Sequence, residues 1–294
     1  MKDQNVETVA GIEYKKPKVY LVQESGLGSA ELAGRTAYNS FDKSENFSVK
    51  EFNNMANMDA VNKGTLTYRR QDLNNIEHSD LLEQLAHVYH HDSVLEHCNL
   101  TFLVKGTSRG VLQEHARHRL QSITVQSTRY TMSSVVNAFI AANELPQFME
   151  LIKKLDMFVV SGFAEELDIK FMYEKLEAQY KQLGIDKFLN ISSSKDNAAY
   201  IMSNSFREDS LEEKFKTLEL NKQKRNVGDS FKWIVTDNWK VDLVFTMNLR
   251  ALSNYLKLRD SGAAYFQIQW LAKEIIEAAP QKYLDLLSKK YKRD

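Results

Sequence analysis

Cysteine is almost missing: Cys98 is the only one in 294 residues. That excludes a disulfide within the chain and any cysteine-rich zinc site built from one copy. It fits a reducing compartment and sets the expectation of a cytoplasmic protein. Proline and glycine are scarce, at 3 and 11 residues, so long uninterrupted elements are expected, mainly helices. Net charge is absent as well, because 39 Lys and Arg balance 39 Asp and Glu. A chain-wide basic field for nucleic acid is thereby excluded. No apolar run approaches about 18 residues, so no membrane span is expected. The opening MKDQNVETVAGIEYKK lacks the apolar centre of a secretory signal. There is no G-x-G-x-x-G turn, no Walker loop and no H-E-x-x-H. A doubly wound dinucleotide fold is therefore disfavoured.

What remains is ordinary globular composition, 43% hydrophobic and 27% charged. Lys18 to Gln23 and Cys98 to Lys105 read as strands, the second with Leu100, Phe102 and Val104 on one face. Helices are expected over Ala30 to Tyr38, over Asp80 to His90 with Ser79 as N-cap, and over Arg109 to Arg119 with Ser108 as cap. Leu120 to Arg129 reads as a loop or irregular strand. Asp237 to Leu258 reads as one long helix burying Met247, Leu249, Leu252, Leu256 and Leu258, and Gln267 to Ala279 as a final amphipathic one. The fold class is α+β, not doubly wound. Three segments are expected: an N-terminal α+β part over 1–136, a charged helical insertion over 137–228, and helices over 229–294 that complete the first.

Three features could carry chemistry. All seven histidines fall between His78 and His118, and His87, His90, His91 and His97 leave a metal site open. Between Lys105 and Arg129 five basic residues face one acid, Glu114. Guanidinium forks in such a window suit phosphate. If Arg117 and Arg119 lie on a helix end, they point about 200° apart and could reach two different ligands, or one ligand and a neighbouring subunit. Asn248, Arg250, Asn254 and Arg259 form the third feature. Arg250 and Asn254, four apart, share a helix face and suit a planar heterocycle.

Arg117-His118-Arg119, seven residues, then Ser127 and Arg129 resembles the RHR-x7-S signature of flavin-dependent thymidylate synthases. HDSVLEH (91–97), TMNLRALSNYLKLR (246–259) and Ser40-Phe41 resemble further segments of that family, in the same order. The resemblance implies a small central antiparallel sheet packed with several long helices, plus the helical insertion. It implies methylation of dUMP to dTMP, with FAD as cofactor and with methylenetetrahydrofolate and NADPH as co-substrates. It implies a homotetramer with active sites at subunit interfaces, and neither membrane nor nucleic acid as partner. Ser40, His91, Ser93, Arg117, His118, Arg119, Asn248, Arg250 and Asn254 match FAD-contacting positions. Gln113, Glu114, Arg117, Gln126, Ser127, Thr128, Arg129, Lys232 and Arg259 match substrate-contacting ones. Arg259 matches the catalytic arginine that favours ionisation at the pyrimidine N3. No metal is implied. Cys98, in an apolar strand, is poorly placed as a nucleophile, and Ser127 has no evident base partner. Ala263 and Val125 depart from common family residues, so a pyrimidine-nucleotide-binding homologue that has lost catalysis or changed substrate stays open as the alternative.

Overall fold

A computed structural model of the chain describes residues 5–56, 72–182 and 231–291. In chain order its elements are strands β1 (Val6–Val9), β2 (Ile12–Lys15) and β3 (Lys18–Glu24), then helices α1 (Gly28–Tyr38), α2 (Phe47–Ala56) and α3 (Asp80–His87). Next come β4 (Asn99–Ser108), α4 (Arg109–His115), β5 (Gln121–Val125), α5 (Thr128–Ala141), α6 (Leu145–Leu155) and α7 (Phe163–Gln182). β6 (Lys240–Asn248), α8 (Leu249–Arg259), α9 (Phe266–Ala278) and α10 (Gln281–Leu287) follow. The fold is α+β, as expected. No described helix is long and apolar enough to cross a membrane.

The chain forms two compact units. A sheet unit comprises Pro17–Thr107, Val111–Val125 and Asp242–Asp294, and a helical unit comprises Met1–Lys16, Ser108–Gly110 and Gln126–Val241. The sheet unit holds four strands in the order β3-β4-β6-β5. β3 pairs antiparallel with β4, Val19 opposite Val104, and β5 pairs antiparallel with β6, Ile123 opposite Phe245. Alternation then places Leu100, Phe102, Val104, Leu243, Phe245 and Met247 on one buried face. Leu252, Leu256, Leu271 and Ile275 of α8 and α9 belong to the same core. Each such side chain contributes about 1.5–3 kcal/mol by leaving water. Gly26 sits between β3 and α1 at φ +73°, and a Cβ there would meet the Asn74 backbone at 2.5 Å. Only glycine fits that position.

The helical unit has its own core. Met132, Val136 and Phe139 of α5, Phe148 and Ile152 of α6, and Met172 and Leu176 of α7 are buried together, with Trp239 and Ile234. The β1–β2 hairpin belongs to this unit, and Tyr14 forms a bridge with Val160. The charged stretch expected over 137–228 is helical with a packed interior as far as 182, and 183–228 lies outside the described residues.

Several expected boundaries need correction. Asp237 to Leu258 is not one helix: Lys240–Asn248 is a strand and the helix begins at Leu249. Val241, Leu243, Phe245 and Met247 recur every second residue, a strand period. Leu258, expected in the core, is exposed. α3 stops at His87, because His90 takes a left-handed conformation at φ +55°. Its N-cap is Ser79, whose Oγ accepts from the Leu82 N–H at 3.4 Å. α4 stops at His115, and its first N–H groups, those of Arg109 and Gly110, donate to the carbonyls of Trp239 and Asp237. Residues 121–125, read as a loop or irregular strand, form the regular edge strand β5.

The strand-to-helix switch rests on Asn248, whose Oδ1 accepts from the Ala251 N–H at 2.8 Å. Asn248→Ala is expected to lower stability by about 1 kcal/mol in urea unfolding, and Asn248→Asp to restore most of it.

Candidate active site

α8 carries the third feature of the sequence at both ends. Its buried face, Leu249, Leu252, Tyr255 and Leu256, belongs to the core of the sheet unit and fixes the helix rotationally. The opposite face therefore points Arg250 and Asn254 outward, one turn apart and both exposed. Arg250 pairs with Glu96. Glu96 lies on the 3-10 turn Asp92–His97, which also carries the exposed Ser93. Asn248 spends its carbonyl on the helix cap, so its amide N–H groups are the part suited to a ligand.

At the other end Arg259 is held from several directions. Its Nε donates to His118 Nε2 at 3.0 Å, its Nη1 to Glu114 Oε2 at 2.7 Å, and its Nη2 to the Glu114 carbonyl at 3.4 Å. His118 can accept only as the neutral ring with its proton on Nδ1. Burial, and then the Arg259 charge, holds its pKa below the ordinary value and keeps it neutral. Tyr255, one turn before Arg259, packs edge-on against both His118 and His115, with ring centroids 4.7 and 5.2 Å away. Its hydroxyl meets His115 Nδ1 at 3.1 Å. His115 is fully buried, and burial pushes its pKa down to about 4. Neither His115 nor Tyr255 was assigned a role from sequence. The signal was available in the four-residue spacing from Tyr255 to Arg259, but an aromatic on an apolar helix face reads first as core.

Arg117 and Arg119 lie beyond the end of α4, in and just after a turn, and both are exposed. The helical 200° divergence therefore does not apply to them. Gln113 is exposed on α4 one turn before Arg117. Ser40 follows α1, and its carbonyl accepts from Arg35 Nη1 at 3.4 Å. The buried Glu31 carboxylate orders this loop, accepting from Ser44 Oγ and Asn46 Nδ2, each at 2.6 Å. His91 hydrogen-bonds through Nδ1 to the Tyr38 hydroxyl at 2.5 Å. His87 Nε2 meets the Asp285 carbonyl at 2.7 Å, so these two histidines have separate partners. Among the described residues, no group of three or more His, Cys, Asp or Glu could hold a metal ion. Cys98 is fully buried, its thiol donating to the Gly26 carbonyl at 3.2 Å, and burial pushes its pKa up to about 12. It is no nucleophile.

The remaining sequence-derived residues belong to the helical unit. Gln126 and Ser127 precede α5 and are exposed, Thr128 begins it, and the Ser127 carbonyl accepts from Thr131 Oγ1 at 3.4 Å. Arg129 is the second residue of α5, and its side chain lies outside what is described. Lys232 is exposed on the 3-10 turn Lys232–Ile234, which packs on α5.

The sheet unit thus presents guanidinium, amide and hydroxyl groups on α8 and the turn beside it, with a second guanidinium fixed at the far end of the same helix. Such a donor set fits phosphate oxygens and the polar edges of a flavin or pyrimidine. Comparison with known proteins agrees. Residues 21–283 match the family model described as Thymidylate synthase complementing protein. The chain belongs to that family. A flavin-dependent thymidylate synthase of Helicobacter pylori (strain ATCC 700392 / 26695) is 27% identical over 207 residues, 69% of this chain and 78% of that one. The flavin-dependent thymidylate synthase of Wolinella succinogenes is 25% identical over 268 residues, covering 90% and 94%. A crystal structure of Thymidylate Synthase X from Helicobacter pylori, with FAD and dUMP, has a TM-score of 0.51 at 24% identity, covering 94% of this chain and all of that one. That likeness establishes a shared fold.

The low His115 pKa has a consequence for stability. The unfolded state binds its proton near pH 6.5, the folded state only near 4. The stabilisation is therefore complete above about pH 6.5 and is lost as pH falls towards 4, amounting to about 3 kcal/mol. Urea unfolding between pH 4.5 and 7.5 should show stability rising with pH, and His115→Asn should flatten that rise.

Proposed function

We propose that the chain is a flavin-dependent thymidylate synthase, which methylates dUMP to dTMP with methylenetetrahydrofolate as carbon donor and NADPH as reductant. The observation that carries this is the fixed Arg259 guanidinium, in a chain that matches the family over residues 21–283. In this reading Arg259 lies against the pyrimidine edge and stabilises negative charge developing at N3 and O4. Gln113, Glu114, Arg117, Gln126, Ser127, Thr128, Arg129 and Lys232 are the other positions that match substrate-contacting residues of the family, the basic ones suited to the phosphate. Ser40, His91, Ser93, Arg117, His118, Arg119, Asn248, Arg250 and Asn254 hold FAD. The flavin, when bound, supplies hydride chemistry. The protein's share is orientation and charge: Asn254 and Asn248 offer amides to ring edges, and Arg250 exchanges Glu96 for a ligand phosphate.

Activation of the base needs no enzyme nucleophile in this scheme, which suits the buried Cys98. We read the assembly as a homotetramer with active sites shared between copies, residues 137–228 as an insertion in the catalytic domain, and the compartment as the cytoplasm. A non-catalytic nucleotide-binding homologue is the second reading, motivated by Ala263 and Val125.

The purified protein is expected to be yellow, with absorption near ~375 and ~450 nm. Arg259→Ala should keep that spectrum and reduce dTMP formation about 100- to 1,000-fold. Near-normal turnover by the variant would overturn the assigned role. A wild type that binds dUMP without forming dTMP would favour the non-catalytic reading.

A further inference from the structure

We propose that Glu114 is a positioning residue that acts through Arg259: it aims the guanidinium and limits the positive charge offered to a pyrimidine ring. This rests on the thymidylate synthase reading. One residue grips both terminal nitrogens of Arg259, Nη1 through its carboxylate at 2.7 Å and Nη2 through its carbonyl at 3.4 Å. His118 takes Nε at 3.0 Å. These contacts use three of the five guanidinium N–H groups and leave one on each terminal nitrogen. The orientation is thus fixed by Glu114 and His118 before any ligand arrives.

The carboxylate does more than orient. A carbonyl or an amide oxygen would orient as well, but a carboxylate also carries a negative charge. Any anion forming on a ring beside Arg259 is attracted by the guanidinium and opposed by Glu114. The pair is partly withdrawn from water, with side-chain exposures of 19% for Arg259 and 33% for Glu114, so screening is incomplete. The other titratable groups nearby cannot substitute. His118 and His115 are held neutral by burial, and Tyr255 stays protonated because burial raises its pKa. Asp260 is engaged by Lys290 Nζ at 2.5 Å and by the Tyr291 hydroxyl at 3.3 Å.

Glu114→Gln keeps an acceptor on Nη1 and the main-chain grip while removing the charge. dUMP affinity, followed by titration of the flavin-loaded protein from pH 7 to 10, is expected to rise about three- to tenfold. The alkaline inflection that marks ionisation of the base is expected about half to one unit lower. Glu114→Asp, which keeps the charge, should retain the wild-type inflection. N3-methyl-dUMP, which cannot ionise there, should show no inflection with any of the proteins. An unchanged inflection in Glu114→Gln would overturn the inference. So would weaker dUMP binding joined to a lower melting temperature, since that is the result of a purely structural role. If the wild type binds neither FAD nor dUMP, the thymidylate synthase reading itself falls, and this inference with it.

Discussion

Arg259 is the point on which the site turns, because a partly buried guanidinium has to be held from several sides at once. Burying a charge is unfavourable unless it is paired and its hydrogen bonds are met. Here a carboxylate, a carbonyl and a neutral imidazole meet that requirement. The imidazole is fixed in turn by something deeper. His118 rests edge-on against Tyr255, Tyr255 packs edge-on against the fully buried His115, and His115 packs in turn on the sheet residue Phe245, with centroids 4.7 Å apart. The hydrophobic core of the sheet unit therefore continues, ring by ring, to Arg259. Stability and function share these contacts, and the protonation of one buried histidine bears on both.

The switch from strand to helix at Asn248 matters for the same reason. β6 is locked in register by β5, with Gln121 opposite Met247 at the end nearest the switch. α8 starts one residue later, so its rotation is set by the sheet. A slip of one residue in the strand would exchange buried and exposed faces. It would also turn α8 by about 100° and take Arg250 and Asn254 off the exposed stripe they now share. The polar end groups are thus placed by the apolar alternation of Val241, Leu243, Phe245 and Met247, none of which takes part in chemistry.

Much of this was legible in the sequence, but unevenly. The strand over Cys98 to Lys105 and the N-cap at Ser79 follow from local pattern, and both are present. The family motif was legible because it is a fixed constellation of uncommon residues. The β6–α8 boundary was missed because KVDLVFTMN and LRALSNYLKLR are both apolar-rich, so a helical period can be drawn through them. The alternation of Val241, Leu243, Phe245 and Met247 is present in the sequence, but Val244, which faces outward, fills one of its polar positions and blurs it into an apolar run. The helix expected through Arg119 failed for a related reason. Nothing between His115 and Arg119 breaks a helix, and yet the chain turns there, bringing His118 to Arg259. The partnership of Glu114 with Arg259 spans 145 residues, beyond the reach of any local reading.

The two arginines of α8 show how similar ion pairs can serve opposite ends. Arg250 and Glu96 are both about half exposed, at 48% and 46%, and such a pair contributes roughly 0–1 kcal/mol. A ligand phosphate can displace Glu96 at little loss, so Arg250 is free to exchange partners. Arg259 and Glu114 are more withdrawn, and two further hydrogen bonds hold the arginine. Displacing them would leave a partly desolvated charge without its partners, which is far less favourable. A ligand beside Arg259 is therefore better accommodated by adding to the existing set than by replacing it. Exposure, more than charge, makes one end of the helix a loose anion hook and the other a rigid one. On the proposed reading, in which Arg250 meets the cofactor and Arg259 the reacting ring, the site needs one of each.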